Sequence, residues 1–453
     1  MPSVVALILC SLFVFWLLTL DHKISHECSF AVWIPTIWVL LIASKPLAIW
    51  FSHSAGEGEY GSPLDRNFII LLIIIGVTIL VKRRFSFSKA IEGNTWLIIL
   101  TLYMLISTLW SSVGVYTSFV RWVRATPALI MGFLLLTENN PREAMLSVLR
   151  RTTYILIPFS VLLIKYYPHY GVEYSRWTGE LMWVGVTLQK NGIGRLCMIS
   201  LFFLIWSFFK RRNQAQITEV RYLVTAEIFL LCLTLWLLKG PSIYAMSATA
   251  LLSTSVGLAV LAVLLLLNRF KIFPNPNLVA TIMLLFIIVG IVTVFTSGST
   301  VASLTGSVGR DTTLTGRTDV WNSLLPVAMQ RPLLGYGFGG FWTQEIRDHF
   351  MISDAHNGYL DMILDTGFLG LFLTTMFLLS SCHKAITLLK KDLFWSLLWS
   401  CFLFMAVIHN ISESSISAFA THLTALLIFL AIVSTPSIVG EVSIENNENA
   451  INS

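Results

Sequence analysis

Long, continuous runs of apolar residues recur along the whole chain and are separated by polar segments. Runs of about 18 residues or more can cross a hydrocarbon core about 30 Å thick as α-helices. A membrane β-barrel would instead show segments of ~10 residues in which apolar and polar positions alternate. The pattern therefore predicts an all-α, polytopic integral membrane protein with about 12 or 13 transmembrane helices.

Thirteen candidate spans can be placed on these runs. They are 2–20, 31–51, 68–81, 95–112, 119–137, 152–167, 192–209, 223–238, 246–267, 278–296, 359–381, 393–411 and 416–434. This assignment predicts one polytopic membrane domain over residues 1–434, in which 297–358 forms a long loop outside the membrane with short interfacial helices. Residues 435–453 are predicted to form a disordered cytoplasmic tail.

The composition agrees with a membrane protein, because 56% of the 453 residues are hydrophobic and only 12% are charged. Soluble domains carry about 25% charged residues. The six cysteines form no CxxC pair, so neither a zinc site nor a disulfide framework is predicted. The N-terminal run lacks a basic segment and a cleavage site, which favours a retained first helix over a removed signal peptide.

The net charge of +6 comes from clusters between apolar runs and indicates topology rather than nucleic-acid binding. The basic loops are 82–89, 141–151, 210–221, 268–271 and 383–391. Even numbers of spans separate them, so all of them can face the cytoplasm. Longer polar segments then lie on the outer face, at 54–66, 166–191, 238–242, 297–358 and 410–415. Because loops on a rigid scaffold commonly carry function, we expect the site on that outer face.

The long loop contains an amphipathic segment, "GRTDVWNSLLPVAMQRP", which predicts a short interfacial helix ended by Pro332. Its apolar face comprises Val320, Leu324, Val327 and Ala328. The following "LLGYGFGGF" (333–341) has no Lys-Ser/Thr after it, so it is not a nucleotide P-loop. Its glycines, including Gly337, either let backbone N–H groups approach an anion or form only a flexible turn.

The stretch "SDAHNGYLDMILDTG" places His356 and Asn357 at the start of a predicted span, and Asn357 is a candidate for binding the substrate diphosphate or glycan. Histidine exchanges protons near neutral pH, so His356 is a candidate acid or base, although a single histidine is more often structural. Arg317, upstream in the same loop, could bind a phosphate or carboxylate through two hydrogen bonds. The alternative for Arg317 is a surface salt bridge with Asp319 or Glu345.

Further candidate residues for binding an anionic headgroup or a glycan lie near the outer ends of other predicted spans. They are Arg121 and Arg124 in "FVRWVRATP", Lys190 and Asn191 in "TLQKNGIGR", Lys239 in "LKGPS", and Glu413 in "NISESS". A row of outward cations above a membrane suits a lipid diphosphate. Simple anchoring to phospholipid headgroups is the competing interpretation.

Taken in order, "GRTDVW", "RPLLGYGFGGF" and "DAHNGYLDMILDTGFLGL" resemble the signature region of the O-antigen ligase / Wzy-type polymerase superfamily. The exopolysaccharide-production (ExoQ-like) branch is the most similar, through "SKPLAIWF", "YGSPLDR", "TLQKNGIGR" and "NISESS". The resemblance implies a multi-pass enzyme of the bacterial inner membrane with a periplasmic active face. It implies an inverting glycosyltransferase without metal or other cofactor, which moves a glycan from an undecaprenyl-diphosphate carrier to an acceptor hydroxyl.

By the same resemblance, Arg317 would bind the diphosphate and His356 would activate or orient the acceptor hydroxyl. The acceptor is another carrier-linked repeat unit in a polymerase and lipid A core in a ligase. Ligases of the superfamily have a further arginine in a Ser-Arg-Thr-like motif, where this chain has Ala248. Either another cation, namely Lys239, Lys190, Arg121 or Arg124, supplies that charge or the local correspondence is shifted, and the absence favours the polymerase.

The partners implied are the lipid-linked donor, the glycan acceptor and the bilayer, with a chain-length regulator or other export proteins left open and no nucleic acid. Two hypotheses of other classes remain. A transporter of polysaccharide or lipid carrier would show internal repeats and ionisable residues in mid-membrane. A non-catalytic subunit of an export complex would not require His356 or Arg317.

Overall fold

The computed structural model describes residues 1–25, 27–52, 62–175, 179–211, 218–242, 246–296, 317–417 and 421–435. The helices in chain order are α1 Ser3–Ile24, α2 Trp33–Ile42, α3 Leu47–Ser52, α4 Pro63–Lys82, α5 Phe87–Glu92, α6 Thr95–Ser107, α7 Val115–Ala125, α8 Pro127–Leu136, α9 Pro141–Tyr166, α10 Pro168–Gly171, α11 Lys190–Arg211, α12 Thr218–Lys239, α13 Ala248–Arg269, α14 Pro276–Phe295, α15 Arg317–Ala328, α16 Gln344–Phe350, α17 Gly358–Thr387, α18 Leu393–His409 and α19 His422–Val433. Two short strands, β1 Val172–Tyr174 and β2 Leu181–Trp183, form an antiparallel hairpin in which Glu173 faces Met182.

The predicted all-α, polytopic membrane fold is confirmed. Within the described ranges, nine helices are long and apolar enough to cross a membrane, and four apolar helices are shorter, at Phe30–Ile42, Thr95–Trp110, Leu393–His409 and His422–Val433. Each of the thirteen predicted spans overlaps one of these helices. The predicted tail lies outside the described residues except for residue 435, and so does the first part of the predicted long loop, 297–316.

The second predicted span, 31–51, is not one continuous helix. Its helix ends at Ile42, and α3 begins only at Leu47. The break accommodates Lys45, which is buried and donates from Nζ to backbone oxygens in the segment that follows α9. These are the oxygens of Tyr170, Gly185 and Thr187, at 2.7, 3.0 and 2.6 Å.

An ammonium group has three N–H donors, and all three are satisfied here. Burial lowers the pKa of Lys45 to about 8, and the nearby Glu173 opposes that shift. Lys45 thus fixes the segment between α9 and α11 to the chain break before α3. This segment leads directly into Lys190, the first residue of α11.

The basic segment 141–151, predicted as a loop, forms the first turns of α9. The reason is a buried ion-pair network. Asp21 of α1 accepts from Nε of Arg150 at 2.6 Å and from Nε of Arg151 at 2.7 Å, and all three side chains are almost completely buried. These two arginines are therefore neutralised inside the protein, so their charges do not act as free loop charges.

Close packing brings several helix ends to the end of the bundle predicted to face outward. Helix α13 packs along α18 and α11, and α14 packs along α17. At Gly194 of α11 a Cβ atom would lie 2.4 Å from Cβ of Ser247, so the small residue permits this approach. The first turns of α11 and α17 and the last turn of α18 consequently meet at one place.

We expect Asp21→Asn to lower the free energy of unfolding by about 3–5 kcal/mol, because it leaves the buried Arg151 without its carboxylate and Arg150 with Glu143 alone. The matched control is Asp392→Asn. Asp392 pairs with Arg142 at 2.6 Å, but both side chains are more than a third exposed. The Asp392→Asn control should lower the free energy of unfolding by about 1 kcal/mol or less. Thermal and denaturant unfolding in detergent would measure both, and equal losses would contradict a stabilising role for the buried network.

Candidate functional site

The site is centred on Glu413, in the irregular segment 410–417 that follows α18. This carboxylate is buried and accepts two hydrogen bonds on Oε1. Nη2 of Arg317 donates at 2.9 Å, and Nδ2 of Asn191 donates at 2.7 Å. Glu413 therefore joins α15, α11 and its own segment, although the three residues are far apart in sequence. We call Glu413, Arg317, Asn191 and His356 the Glu413 cluster.

Arg317 is held on two sides. It is the first residue of α15, and its Nη1 also donates to the backbone oxygen of Ser412. The ion pair with Glu413 differs from the predicted alternatives, Asp319 and Glu345, because the segment at 410–417 folds over the start of α15. The predicted short helix is present, and it ends at Ala328, before Pro332. Its predicted position at the membrane interface stays a prediction.

His356 lies beside the same carboxylate. Its Nδ1 is 3.3 Å from Oδ1 of Asp354 and 4.0 Å from Oε2 of Glu413, and about a quarter of its side chain, 24%, is exposed. Nδ1 makes no hydrogen bond among the described contacts. With Nδ1 turned toward two carboxylates, Nε2 is the ring nitrogen that can face a substrate.

A buried carboxylate fixes the backbone that carries His356. Asp361 accepts from the backbone N–H of Ala355 at 3.1 Å, from Nε1 of Trp342 at 2.8 Å, and from the hydroxyl of Ser414. The indole of Trp321 donates to the oxygen of Ala355 at 2.8 Å. The sequence showed Asp361 only as an acid near the helix start, and its role in positioning was missed.

Asn357 acts as the N-cap of α17. It is fully buried, and its Oδ1 accepts from the N–H groups of Tyr359 and Leu360, both at 3.0 Å. Its Nδ2 donates to the oxygen of Ile411 at 2.8 Å. These contacts connect the start of α17 to the segment that carries Glu413. The predicted contact of Asn357 with substrate stays a prediction.

The glycine-rich turn packs directly against a break in α17. Gly367 interrupts that helix with φ of +67° and ψ of −174°. A Cβ atom on Gly335 would lie 2.6 Å from the backbone nitrogen of Gly367, and one on Gly337 would lie 2.5 Å from Cα of Ser111. Hydrogen bonds from Tyr336 N to Leu364 O and from Phe368 N to Pro332 O close the contact, both at 2.8 Å.

The positive φ values of Gly335 and Gly337 and this close packing explain the glycines in physical terms. The turn is a packed element, so the flexible alternative does not describe it. Gly337 contacts the end of α6 and the residues after it, and its predicted role in binding stays a prediction.

Arg121 and Arg124 of α7 lie on the other side of this turn. Nη1 of Arg121 donates to the oxygen of Gly339, while Nε of Arg124 is buried without a described hydrogen-bond partner. Asp365, which accepts from Phe341 N at 3.1 Å, lies four residues after Asp361 on one face of α17. A rise of 1.5 Å per residue separates Asp361 and Asp365 by about 6 Å along the helix. Asp361 contacts Ser414, next to Glu413, whereas Asp365 contacts the same glycine-rich turn as Arg121.

The remaining predicted cations are placed differently. Lys190 is the first residue of α11, next to Asn191, and is partly buried. Lys239 is exposed at the end of α12 and forms no hydrogen bond or ion pair with the Glu413 cluster in the described part of the chain. Ala248 is exposed in the first turn of α13.

Sequence reasoning also missed Arg195, His409 and Ser415. Nη1 of Arg195 donates to Oγ of Ser415 at 3.3 Å, and Nδ1 of His409 lies 2.9 Å from that same oxygen. Arg195 follows Asn191 by four residues, so both lie on one face of α11. The four-residue spacing of Asn191 and Arg195 in "KNGIGR" is the sequence signal that could have identified Arg195. Over the described ranges, no three His, Cys, Asp or Glu side chains are placed to share a metal ion.

Residues 233–375 match the sequence model of a family described as O-antigen ligase. The predicted resemblance is confirmed. The matched segment contains Arg317, the glycine-rich turn and His356, whereas Asn191 and Glu413 lie outside it. The Glu413 cluster therefore combines residues of the O-antigen ligase-like segment with residues from elsewhere in this multi-pass membrane protein.

The chain is also 32% identical, over 99 residues, to the exopolysaccharide production protein ExoQ of Rhizobium meliloti (strain 1021). The similar region makes up 19% of this chain and 23% of that relative, so the match spans less than a quarter of the relative's length. This similarity supports the predicted resemblance to the exopolysaccharide-production (ExoQ-like) branch.

We expect Gly335→Ala to impair folding of the site, because its Cβ would overlap backbone atoms of the α17 break. Gly114→Ala is the control, since Gly114 has φ of +87° but no atom within 4 Å of a Cβ. In Gly114→Ala only the backbone strain should lower the free energy of unfolding, by about 1–3 kcal/mol. Yield of folded protein and thermal unfolding would compare them, and a G335A variant as stable as G114A would contradict the close packing.

Proposed function

We propose that this protein is a membrane glycosyltransferase that polymerises oligosaccharide repeat units carried on undecaprenyl diphosphate. The observation that carries the proposal is the Glu413 cluster, in which an arginine, a histidine and an amide meet at one end of the helix bundle. The O-antigen ligase-like segment supplies two of these residues. The predicted topology puts the cluster on the periplasmic side of the inner membrane.

The donor's leaving group is a lipid diphosphate, which gains negative charge as its bond to the sugar breaks. Arg317 would bind this group, because a guanidinium provides several donors in a plane and keeps its charge. Glu413 holds the guanidinium in place, and Asn191 and Lys190 lie beside it. A fixed cation needs no reorganisation during the reaction, so it stabilises the transition state more than a mobile one.

The nucleophile is a hydroxyl of the acceptor sugar, and His356 would remove its proton through Nε2. The bond from the acceptor oxygen to the anomeric carbon forms while the bond from that carbon to the diphosphate oxygen breaks. Asp354 and Glu413, near Nδ1, would stabilise the imidazolium that results. One such displacement inverts the anomeric centre without a covalent carboxylate intermediate or a metal ion.

In a polymerase the acceptor also carries a diphosphate, so a second cationic region is expected near the first. Arg121, which contacts the glycine-rich turn, and its neighbour Arg124 would provide it. We assign them to the anionic part of the second substrate, with the glycan lying over the glycine-rich turn between the two regions. Lys239 would then bind more distant sugars or phospholipid headgroups.

The name of the similar R. meliloti protein, which refers to exopolysaccharide production, favours polymerisation over ligation to lipid A core. The exposed Ala248, where a ligase has an arginine, agrees with this choice. Ligase, transporter and non-catalytic subunit are the outcomes that the following experiment separates from polymerase.

We expect purified wild-type protein to lengthen chains from carrier-linked repeat units in proteoliposomes. His356→Ala should slow this by about 10²–10⁴-fold, which is the usual effect of removing a general base. Arg317→Ala should slow it comparably. His349→Ala is the matched control, because His349 is an exposed histidine of the same segment. Gel analysis of the glycan products, with circular dichroism to confirm folding, measures the effect.

Wild-type rates in both folded variants would show that the site is assigned wrongly. Transfer to lipid A core, without chain lengthening, would identify a ligase. Movement of carrier-linked glycan across the membrane with no new glycosidic bond would identify a transporter. Loss of activity with a chelator, restored by a divalent cation, would contradict the metal-free reaction.

A further inference from the structure

Arg195 is a charged residue inside a predicted membrane helix, one turn below Asn191 on α11. Placing an arginine there costs free energy, so such residues commonly face a polar interior and have a function. It points to the segment that carries Glu413, since its Nη1 lies 3.3 Å from Oγ of Ser415.

The hydrogen bonding of Arg195 leaves most of its donors available. A guanidinium has five N–H groups. Among the described contacts, the hydrogen bond to Ser415 is the one that Arg195 makes, and at 3.3 Å it is long. The hydroxyl of Ser415 can donate to Nδ1 of His409, 2.9 Å away, while accepting from Arg195. This chain fixes one edge of the guanidinium and leaves the rest for a ligand.

Arg195 and Arg317 converge on one short segment. Arg317 binds the oxygen of Ser412 and the carboxylate of Glu413, and Arg195 binds Ser415. The two guanidiniums come from different elements, α15 and α11, and approach this segment separately. Asn191, four residues before Arg195 on the same face of α11, already contacts Glu413.

We propose that Arg195 is a second cation for the lipid diphosphate and binds it together with Arg317. This inference rests on the proposed function for the nature of the anion. A diphosphate has two phosphoryl groups, so two guanidiniums can each bind one of them. Arg195, within the helix, would meet the phosphoryl group nearer the lipid, and Arg317 would meet the one nearer the sugar.

The experiment uses the full-length protein in nanodiscs, with farnesyl diphosphate and farnesyl monophosphate as probes. Arg195→Gln should weaken diphosphate binding about tenfold or more, because a charge-assisted hydrogen bond is lost. Its effect on the monophosphate should be smaller. Arg195→Lys keeps the charge but loses the planar fork, so its affinity should be intermediate. The control is Arg331→Gln, which changes an exposed arginine on the predicted outer face. It should leave the affinities for the diphosphate and the monophosphate unchanged.

Unchanged diphosphate affinity in folded R195Q, or a lower unfolding temperature with unchanged affinity, would overturn the proposal in favour of a structural arginine. If R195Q does not fold, the R195K variant provides the test. Wild-type diphosphate affinity in R195K would contradict a role of Arg195 in binding. A chain-lengthening assay distinguishes failure of the proposed function from failure of this inference about Arg195. A wild type that binds the diphosphate through Arg195 yet lengthens no chains would refute only the proposed function, whereas wild-type lengthening by R195Q would refute only this inference.

Discussion

The buried carboxylate of Glu413 is the interaction on which the site depends. A buried negative charge is costly unless it is paired and hydrogen-bonded, and Glu413 meets this condition only when α11 and α15 both bring their polar residues to it. The requirement works in both directions, because Arg317 would otherwise lack a carboxylate to balance its charge, and the described hydrogen bond of the Asn191 amide would be lost. One carboxylate thus couples the membrane helices to the long loop, and it lies 4.0 Å from Nδ1 of His356, the residue proposed as the base.

A second carboxylate gives the loop its shape. Asp361 binds Trp342, Ala355 and Ser414, and so fixes the backbone on both sides of the segment that leads to His356. The break at Gly367 then lets the glycine-rich turn approach α17 backbone to backbone. Both features belong to α17, which contacts Ser414 through Asp361 and, one turn later, Phe341 of the glycine-rich turn through Asp365. The spacing is thus set by helix geometry rather than by flexible side chains.

The apolar runs predicted the membrane fold and the order of its helices, because length and hydrophobicity alone determine whether a segment can cross a bilayer. They did not predict the break at Lys45 or the helical conformation of 141–151, since both depend on partners distant in sequence, the backbone oxygens after α9 and Asp21. Motifs identified Arg317 and His356 as candidates. Arg195 and Asp361 were missed because their roles appear only when the segment at 410–417 is folded against them.

His356 has a left-handed backbone conformation, with φ of +50°. A non-glycine residue costs about 1 kcal/mol or more there, and the hydrogen bond from its own N–H to Asp354, at 3.0 Å, helps to hold it. Glycine would adopt this conformation without strain. The chain therefore retains a side chain that weakens its own fold at this position, and selection for stability alone would be expected to replace it. Such opposition between stability and chemistry is what the reaction proposed for His356 would explain.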